Sequence, residues 1–235
     1  LTLLHLLNNT LFAVSQQDVR VYLKGLLFEC NNNQLTAVGA DGHRMAISKV
    51  ELPLSCAKEK LVIPRKGVYE LLRLLNLVSC ETITINIHPT LFQAVTPDFV
   101  FTSKLIDVQY LPYQQAIPKK NNTFVLVDIE TFKRALARIL IIAHDKSRPV
   151  VFVVQDKGLA FLGQNLDQEE VNEYIEATVD GPGLRIGINP VYLLEVLNII
   201  KSAVVRLSFF SADTPILIEP LDDELYQHII MPVKI

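Results

Sequence analysis

The sequence predicts an α+β protein in which one unit, of about 110–120 residues, is written twice. Three observations carry this expectation. An apolar helix, short strands, a second helix and further strands follow one another on each side of Pro118-Lys119-Lys120-Asn121-Asn122. That stretch has the Pro, Lys and Asn content of a linker. The predicted helices repeat their apolar residues every three or four positions, and the predicted strands alternate. A repeat this long is a domain duplication rather than a solenoid, so domains are expected at 1–120 and 121–235, each with two helices packed on antiparallel sheet.

In the first unit the apolar helix is predicted over 3–14, followed by Asp18 and Arg20. Strand-forming runs then begin with Val21-Tyr22-Leu23 and Leu26-Leu27-Phe28. Asp41-Gly42-His43-Arg44 lies between Leu35-Thr36-Ala37-Val38 and Met45-Ala46-Ile47, where Asp-Gly signals a hairpin turn. After Pro64, the spacing of Val68, Leu71, Leu72 and Leu75 predicts a second helix with one buried stripe. Thr82-Ile83-Thr84-Ile85-Asn86-Ile87 alternates as a strand does, and Phe99-Val100-Phe101-Thr102 closes the unit.

The second unit repeats the order. A helix over 128–143 places Phe132, Ala135, Leu136, Ile139, Leu140 and Ala143 on one side. Asp145 and Arg148 repeat the acid-and-base pair, and Val150-Val151-Phe152-Val153-Val154 repeats the strand. Asn189 is a good N-cap and Pro190 suits the first helical position, where its missing N–H costs nothing. They introduce the helix containing Val191, Tyr192, Leu193, Leu194 and Glu195; His228-Ile229-Ile230-Met231 is the last strand.

Composition narrows the function classes. Half of the 235 residues are hydrophobic and a fifth are charged, the balance of a globular protein with a well-filled core. No apolar run approaches the roughly 18–20 residues of a membrane span. The opening Leu1-Thr2-Leu3-Leu4-His5 has no basic region or cleavage site of a signal peptide. It also lacks an initiator Met and begins inside a predicted helix, which is the expectation for a fragment. Cys30, Cys56 and Cys80 have no metal-ligand spacing, so a reduced, cytoplasmic protein is expected. The net charge of -3 is unevenly spread, with a surplus of three positive charges in 1–120 and of six negative charges in 121–235. Contact with DNA therefore requires a local basic face.

Two basic features each admit two readings. Lys133, Arg134 and Arg138 share the polar side of the 128–143 helix, either as a solvated face or as one turned to phosphates. Ile141 projects near the middle of that side and Ile142 at its margin, covered either by another chain or domain or by a folded-over loop. Arg65 and Lys66 stand where a helix N-terminus is already positive, which is unfavourable unless an anion is near; a solvated turn is the alternative. Neither feature reads a base, so binding would be sequence-independent.

Catalytic patterns are missing. His43 has no His or Cys at ligand spacing, and Asp41 and His43 lack any nucleophile context. There is no P-loop, no G-x-G-x-x-G and no paired-carboxylate site. Glu169, Glu170 and Glu173 read as a solvated or partner-facing patch. A non-enzymatic binding protein is expected, without cofactor or metal. The competing readings are a nucleic-acid enzyme built on Asp18, Asp41 and His43, and a scaffold without a DNA link.

Six stretches resemble the bacterial DNA sliding clamp family, the beta subunit of DNA polymerase III. They are Gln17-Asp18-Val19-Arg20, Ala40-Asp41-Gly42-His43-Arg44-Met45-Ala46, Val62-Ile63-Pro64-Arg65-Lys66-Gly67-Val68, Phe101-Thr102-Ser103-Lys104-Leu105, Ile188-Asn189-Pro190-Val191-Tyr192 and Met231-Pro232-Val233-Lys234-Ile235. They occur in the family's order along nearly the whole chain. The resemblance implies the middle and C-terminal domains of a three-domain subunit, the middle one without its first strand. Two such subunits close into a ring around double-stranded DNA.

The resemblance also assigns surfaces. Gln17, Tyr22, Arg65, Lys66, Lys133, Arg134 and Arg138 would face DNA, while Ile141, Ile142, Glu169, Glu170 and Glu173 would form a subunit interface. Arg20, Leu23, Gly42, His43, Arg44, Met45, Asn189, Tyr192, Ile230, Met231, Pro232 and Val233 would line a pocket between the two domains. That pocket takes peptides from DNA polymerases, the clamp loader and other clamp-binding proteins. The full-length protein would be a homodimer, and this chain a monomer. One departure is Tyr110-Leu111-Pro112-Tyr113-Gln114-Gln115, where the family reads aromatic-Pro-x-Tyr followed by basic residues.

Overall fold

The computed structural model describes residues 2–143, 149–165, 167–223 and 225–235. The chain divides into two units, Leu1–Tyr113 and Gln114–Ile235; the stretch 118–122 falls in the second. Helix α1 (Thr2–Thr10) buries Leu3, Leu6 and Leu7, as their spacing demands. Its last turn tightens, with the Thr10 hydroxyl donating to the Leu6 carbonyl at 2.7 Å. A 3-10 turn, Leu11–Ala13, then completes the segment predicted as one helix.

The first unit is organised by two long strands, β1 (Gly25–Ala40) and β2 (Arg44–Pro64), paired antiparallel from Gly25 opposite Pro64 to Ala40 opposite Met45. At about 3.3 Å per residue a straight strand of this length would outreach a small domain, so the pair must bend. The register shows where. Asn32 faces Cys56 but Gln34 faces Glu51, so residues 52–55 stand against Asn33 alone. Asn32 has φ of +54°, a conformation Asn tolerates better than most residues.

Helix α2 (Arg65–Leu75) follows directly and buries Val68, Leu71 and Leu75, with Leu72 half-buried at the stripe's edge. Strands β3 (Thr84–Ile87), β4 (Leu91–Val95) and β5 (Val100–Lys104) make a separate antiparallel sheet. Its Phe92 meets Phe28 of β1 edge to face, with ring centroids 6.0 Å apart. This contact joins β1 and β4 in the core beneath α1 and α2.

In the second unit β6 (Thr123–Asp128) leads into α3 (Ile129–Ile142), capped by the Asp128 carboxylate, which accepts from the Thr131 N–H at 2.8 Å. Strands β7 (Val150–Gln155), β8 (Gly158–Gln164) and β9 (Glu170–Glu176) form hairpins, and β10 (Thr178–Asp180) pairs with β6. Strand β11 (Arg185–Ile188) returns beside β7 and delivers α4 (Pro190–Ile199). Asn189 caps α4, its side chain accepting from the Val191 N–H at 3.0 Å. Strands β12 (Val204–Phe209), β13 (Ile216–Pro220) and β14 (Tyr226–Ile230) then run antiparallel, β12 alongside β6.

The duplication is visible in these registers. Residues 25–30 pair with 59–64 just before α2, as β7 pairs with β11 just before α4. Residues 34–40 pair with 45–51 as β8 pairs with β9.

One expectation changes. Val21–Lys24 is a 3-10 turn rather than the start of a strand. Only Leu23 of the four is buried, and the turn drops that one side chain inward while Val21 stays half exposed. The repeated pair Asp145 and Arg148 lies outside the described residues. The Phe132, Phe152 and Phe161 rings cluster between α3, β7 and β8 with centroids 4.6 to 6.1 Å apart. Phe132→Ala, which empties the α3 side of this cluster, is expected to destabilise the protein by about 3–5 kcal/mol, read as a lower urea midpoint.

Candidate binding surfaces

In the first unit the candidate pocket residues sit at the start of and within the Val21–Lys24 turn and on the β1–β2 turn. Arg20 is held by Asp18. One carboxylate oxygen accepts from the Arg20 backbone N–H at 2.8 Å and from Nε at 2.9 Å, and the other accepts from Nη2 at 2.9 Å. These bonds hold the Asp18 carboxyl down at about 2. The guanidinium lies against Gly42, whose φ of +89° and lack of a side chain leave room for it; a Cβ there would run into Nη2. Arg20 and Gly42 are thereby brought together.

Asp41 organises the turn itself. One of its oxygens accepts from the backbone N–H of His43 at 2.9 Å and of Arg44 at 3.0 Å; the other accepts from Arg44 Nε at 3.0 Å. Arg44 also donates from Nη2 to the Phe12 carbonyl at 3.2 Å, and its guanidinium carbon lies 5.1 Å from the centre of the Phe12 ring. Leu23 and Met45 are buried, His43 and Gly42 exposed.

In the second unit the C-terminal residues run back along β11. Val233 donates its N–H to the Gly187 carbonyl at 2.8 Å, which sets 231–233 near the start of α4 and its cap, Asn189. Met231 and Val233 are exposed at 41% and 40%, Pro232 and Tyr192 are half-buried, and Ile230 is buried. Of the apolar residues Leu23, Met45, Ile230 and Met231, Met231 alone offers its side chain to solvent.

The basic residues behave differently from one another. Gln17 and Lys66 are exposed, whereas Arg65 donates from Nε to the Val14 carbonyl at 3.2 Å and fastens α2 to the end of the α1 segment. Tyr22 packs edge-on against Tyr110, with centroids 6.1 Å apart. On α3, Lys133 pairs with Glu130 at 3.1 Å and Arg134 is exposed.

Arg138 instead reaches β9, donating from Nε and Nη2 to the two Glu173 oxygens at 2.6 and 2.8 Å. Each partner holds the other charged, so the Glu173 carboxyl is lowered. A residue grouped with the phosphate-facing cations is therefore joined to one grouped with the subunit interface. Ile141, 72% exposed, belongs to the same helix end, with Ile142 half-buried. Glu169 is tied into its own loop, its N–H donating to the Asn165 side chain at 2.9 Å, and Glu170 is exposed at the start of β9.

Sequence reasoning missed the positioning roles of Asp18, Asp41 and Phe12. The spacings Asp18-x-Arg20 and Asp41-x-x-Arg44 carried the first two signals. It also missed Tyr113, which is buried and donates to the Glu29 carboxylate at 2.6 Å, and Tyr110, which is buried and donates to the Val38 carbonyl at 3.2 Å. The departure at 110–115 thus leaves both tyrosines as anchors on β1.

Asp18 and Asp41 have both oxygens engaged by arginine, an arrangement that does not suit a general base. Among the described residues no group of three or more His, Cys, Asp and Glu is placed to hold a metal, and no helix is long and apolar enough to cross a membrane.

Two family profiles match the chain consecutively. Residues 2–112 match the central domain, and 114–234 the C-terminal domain, of the DNA polymerase III beta subunit. The beta sliding clamp of Vibrio cholerae is 34% identical over 230 residues, covering 98% of this chain and 63% of that protein. That of Escherichia coli K12 is 32% identical over 234 residues, covering all of this chain and 64% of the relative. A crystal structure of the DNA polymerase III beta subunit from Pseudomonas aeruginosa superposes with a TM-score of 0.95 at 32% identity, over 99% of this chain and 64% of that one. The chain spans somewhat less than two thirds of the length of these relatives.

Because its folded-state carboxyl is lowered, the Asp18–Arg20 pair contributes fully above the ordinary carboxylate value of 3.8 and is lost as pH falls through about 2. Arg20→Ala is expected to return Asp18 from about 2 towards 3.8. Carboxyl NMR titration reads the shift; an unmoved value would show that Arg20 is not its cause.

Proposed function

We propose that this chain, which belongs to the DNA polymerase III beta-subunit family of sliding clamps, is the partner-binding part of a clamp that tethers replication and repair proteins to DNA. The observation that carries this reading is the pair of consecutive domain matches, which leaves almost no residue unassigned. The activity is mechanical, with no catalytic step. A clamp holds duplex DNA by attraction between cations and phosphates, which reads no base and therefore leaves the duplex mobile. Gln17, Tyr22, Arg65, Lys66, Lys133, Arg134 and Arg138 are the candidates for that surface. Arg65 is oriented by the Val14 carbonyl, whereas Arg138 is already paired with Glu173 and would contribute least. The chain's negative net charge disfavours DNA elsewhere.

Partners bind as short extended peptides. In the first unit Arg20, Leu23, Gly42, His43, Arg44 and Met45 serve them; in the second, Asn189, Tyr192, Ile230, Met231, Pro232 and Val233. What supports this is preorganisation. Arg20 and Arg44 are fixed by Asp18 and Asp41 before any ligand arrives, so little side-chain entropy remains to be lost on binding. Met231 is exposed and unbranched, and adapts to different apolar anchors. The partners are DNA polymerases, the clamp loader and other proteins with a clamp-binding motif. In the whole protein, Ile141, Ile142, Glu169, Glu170 and Glu173 would meet a second subunit to close a homodimeric ring in the cytoplasm.

A labelled peptide of the Gln-x-x-Leu-x-Phe type should bind this chain saturably in fluorescence polarisation. Arg44→Ala and Met231→Ala should each weaken it about tenfold or more, some 1.4 kcal/mol. Unsaturable binding insensitive to both changes would remove the reading. By itself the chain is expected to sediment as a monomer, and a tight dimer at micromolar concentration would contradict the interface assigned to α3 and β9.

A further inference from the structure

The bend in the β1–β2 pair brings two of the three cysteines together. Cys30, on β1, is buried in the core of the first unit, and Cys56, on β2, is half-buried against the same cluster. Cys30 faces Glu59 while Asn32 faces Cys56, so Ala57 and Lys58 bulge opposite Asn31. The bulge shortens the step between the cysteines. The Cys56 thiol donates to the Asn32 carbonyl at 2.9 Å, which ties it to the β1 side of the bend. Cys30 and Cys56 therefore stand one bulged register step apart on adjacent strands, against the same core cluster. Cys80 lies on a different segment, after α2.

We propose that Cys30 and Cys56 form a reversible intramolecular disulfide, a redox-sensitive staple across the β1–β2 bend. The roles follow from exposure. Cys56 reaches solvent and attacks a small-molecule disulfide; one thiolate leaves, and a mixed disulfide remains on Cys56. Cys30 gives up its proton and attacks the Cys56 sulfur, expelling the second thiolate. Two protein thiols are oxidised and one external disulfide is reduced to two thiols, so atoms and electrons balance. Burial first, and Cys56 beside it second, push the Cys30 thiol up to about 11, which makes it a resolving rather than an attacking group. Closure needs no external access to Cys30, because its partner stands on the neighbouring strand against the same core cluster.

The enclosed loop, residues 31–55, contains the Asp41–Arg44 turn, so the staple would tie down the hairpin that presents Gly42, His43 and Arg44. In a reducing compartment such a bond is transient and responds to oxidant. The inference is independent of any partner or of DNA.

The test is to incubate the folded chain with oxidised glutathione, count thiols, and map disulfide-linked peptides by mass spectrometry. The expected result is loss of two of the three thiols, a Cys30–Cys56 linked peptide, full reversal by dithiothreitol and a higher melting temperature for the oxidised form. Cys80→Ser should keep the link; Cys30→Ser should stop at a glutathione adduct on Cys56. A persistent adduct on Cys56 in the unaltered chain, a link through Cys80 or to a second chain, or no thiol loss would each overturn the proposal. A link formed without a rise in melting temperature would overturn its role as a staple.

Discussion

The register of β1 against β2 is the constraint on which the first unit depends. With Gly25 opposite Pro64 and Ala40 opposite Met45, Leu26, Phe28 and Ala37 turn towards α1 and the second sheet. A slip of one residue would send that whole set to the other face. The same register delivers the chain into α2 at one end and into the Asp41–Arg44 turn at the other. The bend at Asn32 lets strands of 16 and 21 residues fit one small domain, and the cysteine pair sits where that bend is made. Framework and proposed recognition surface are therefore one feature seen at two places.

Charge is arranged around that framework by short, specific ties. Asp18 holds Arg20, Asp41 holds Arg44, Glu130 holds Lys133 and Glu173 holds Arg138. Ion pairs at a surface contribute little to stability, so what these ties supply is position. Arg20 rests over Gly42, and Arg44 rests over Phe12 and its carbonyl. The proposed partner surface, built this way, would present oriented donors at small entropic cost.

The two units share a plan but use it unequally. In the second, short strands are separate hairpins, β7 to β8 and β8 to β9; in the first, the corresponding segments run into one another as two continuous strands. The second unit closes with residues 231–233 laid on β11 through Val233 and Gly187, giving a terminal strand a neighbour. In the first, Tyr110 and Tyr113 do comparable work, pinning the segment after β5 to Val38 and Glu29.

Local features were legible in the chain alone. The N-cap Asn189, the first-turn Pro190, the Val68–Leu71–Leu75 stripe, the Asp-Gly turn and the duplicated order are set by near neighbours in sequence. Six motif stretches pointed to the clamp family for the same reason, since each is a short run. Packing decided the rest. Whether 21–24 became strand or turn depended on which side chain found the core, and only Leu23 did. The continuity of β1 through its three asparagines depended on a partner strand to absorb the bulge. Arg138 and Glu173 are 35 positions apart, and no periodicity links them until β9 is laid beside α3. Helix periodicity says which face of α3 a cation occupies; only the neighbouring strand decides whether that cation stays available to an anion or is already neutralised by one.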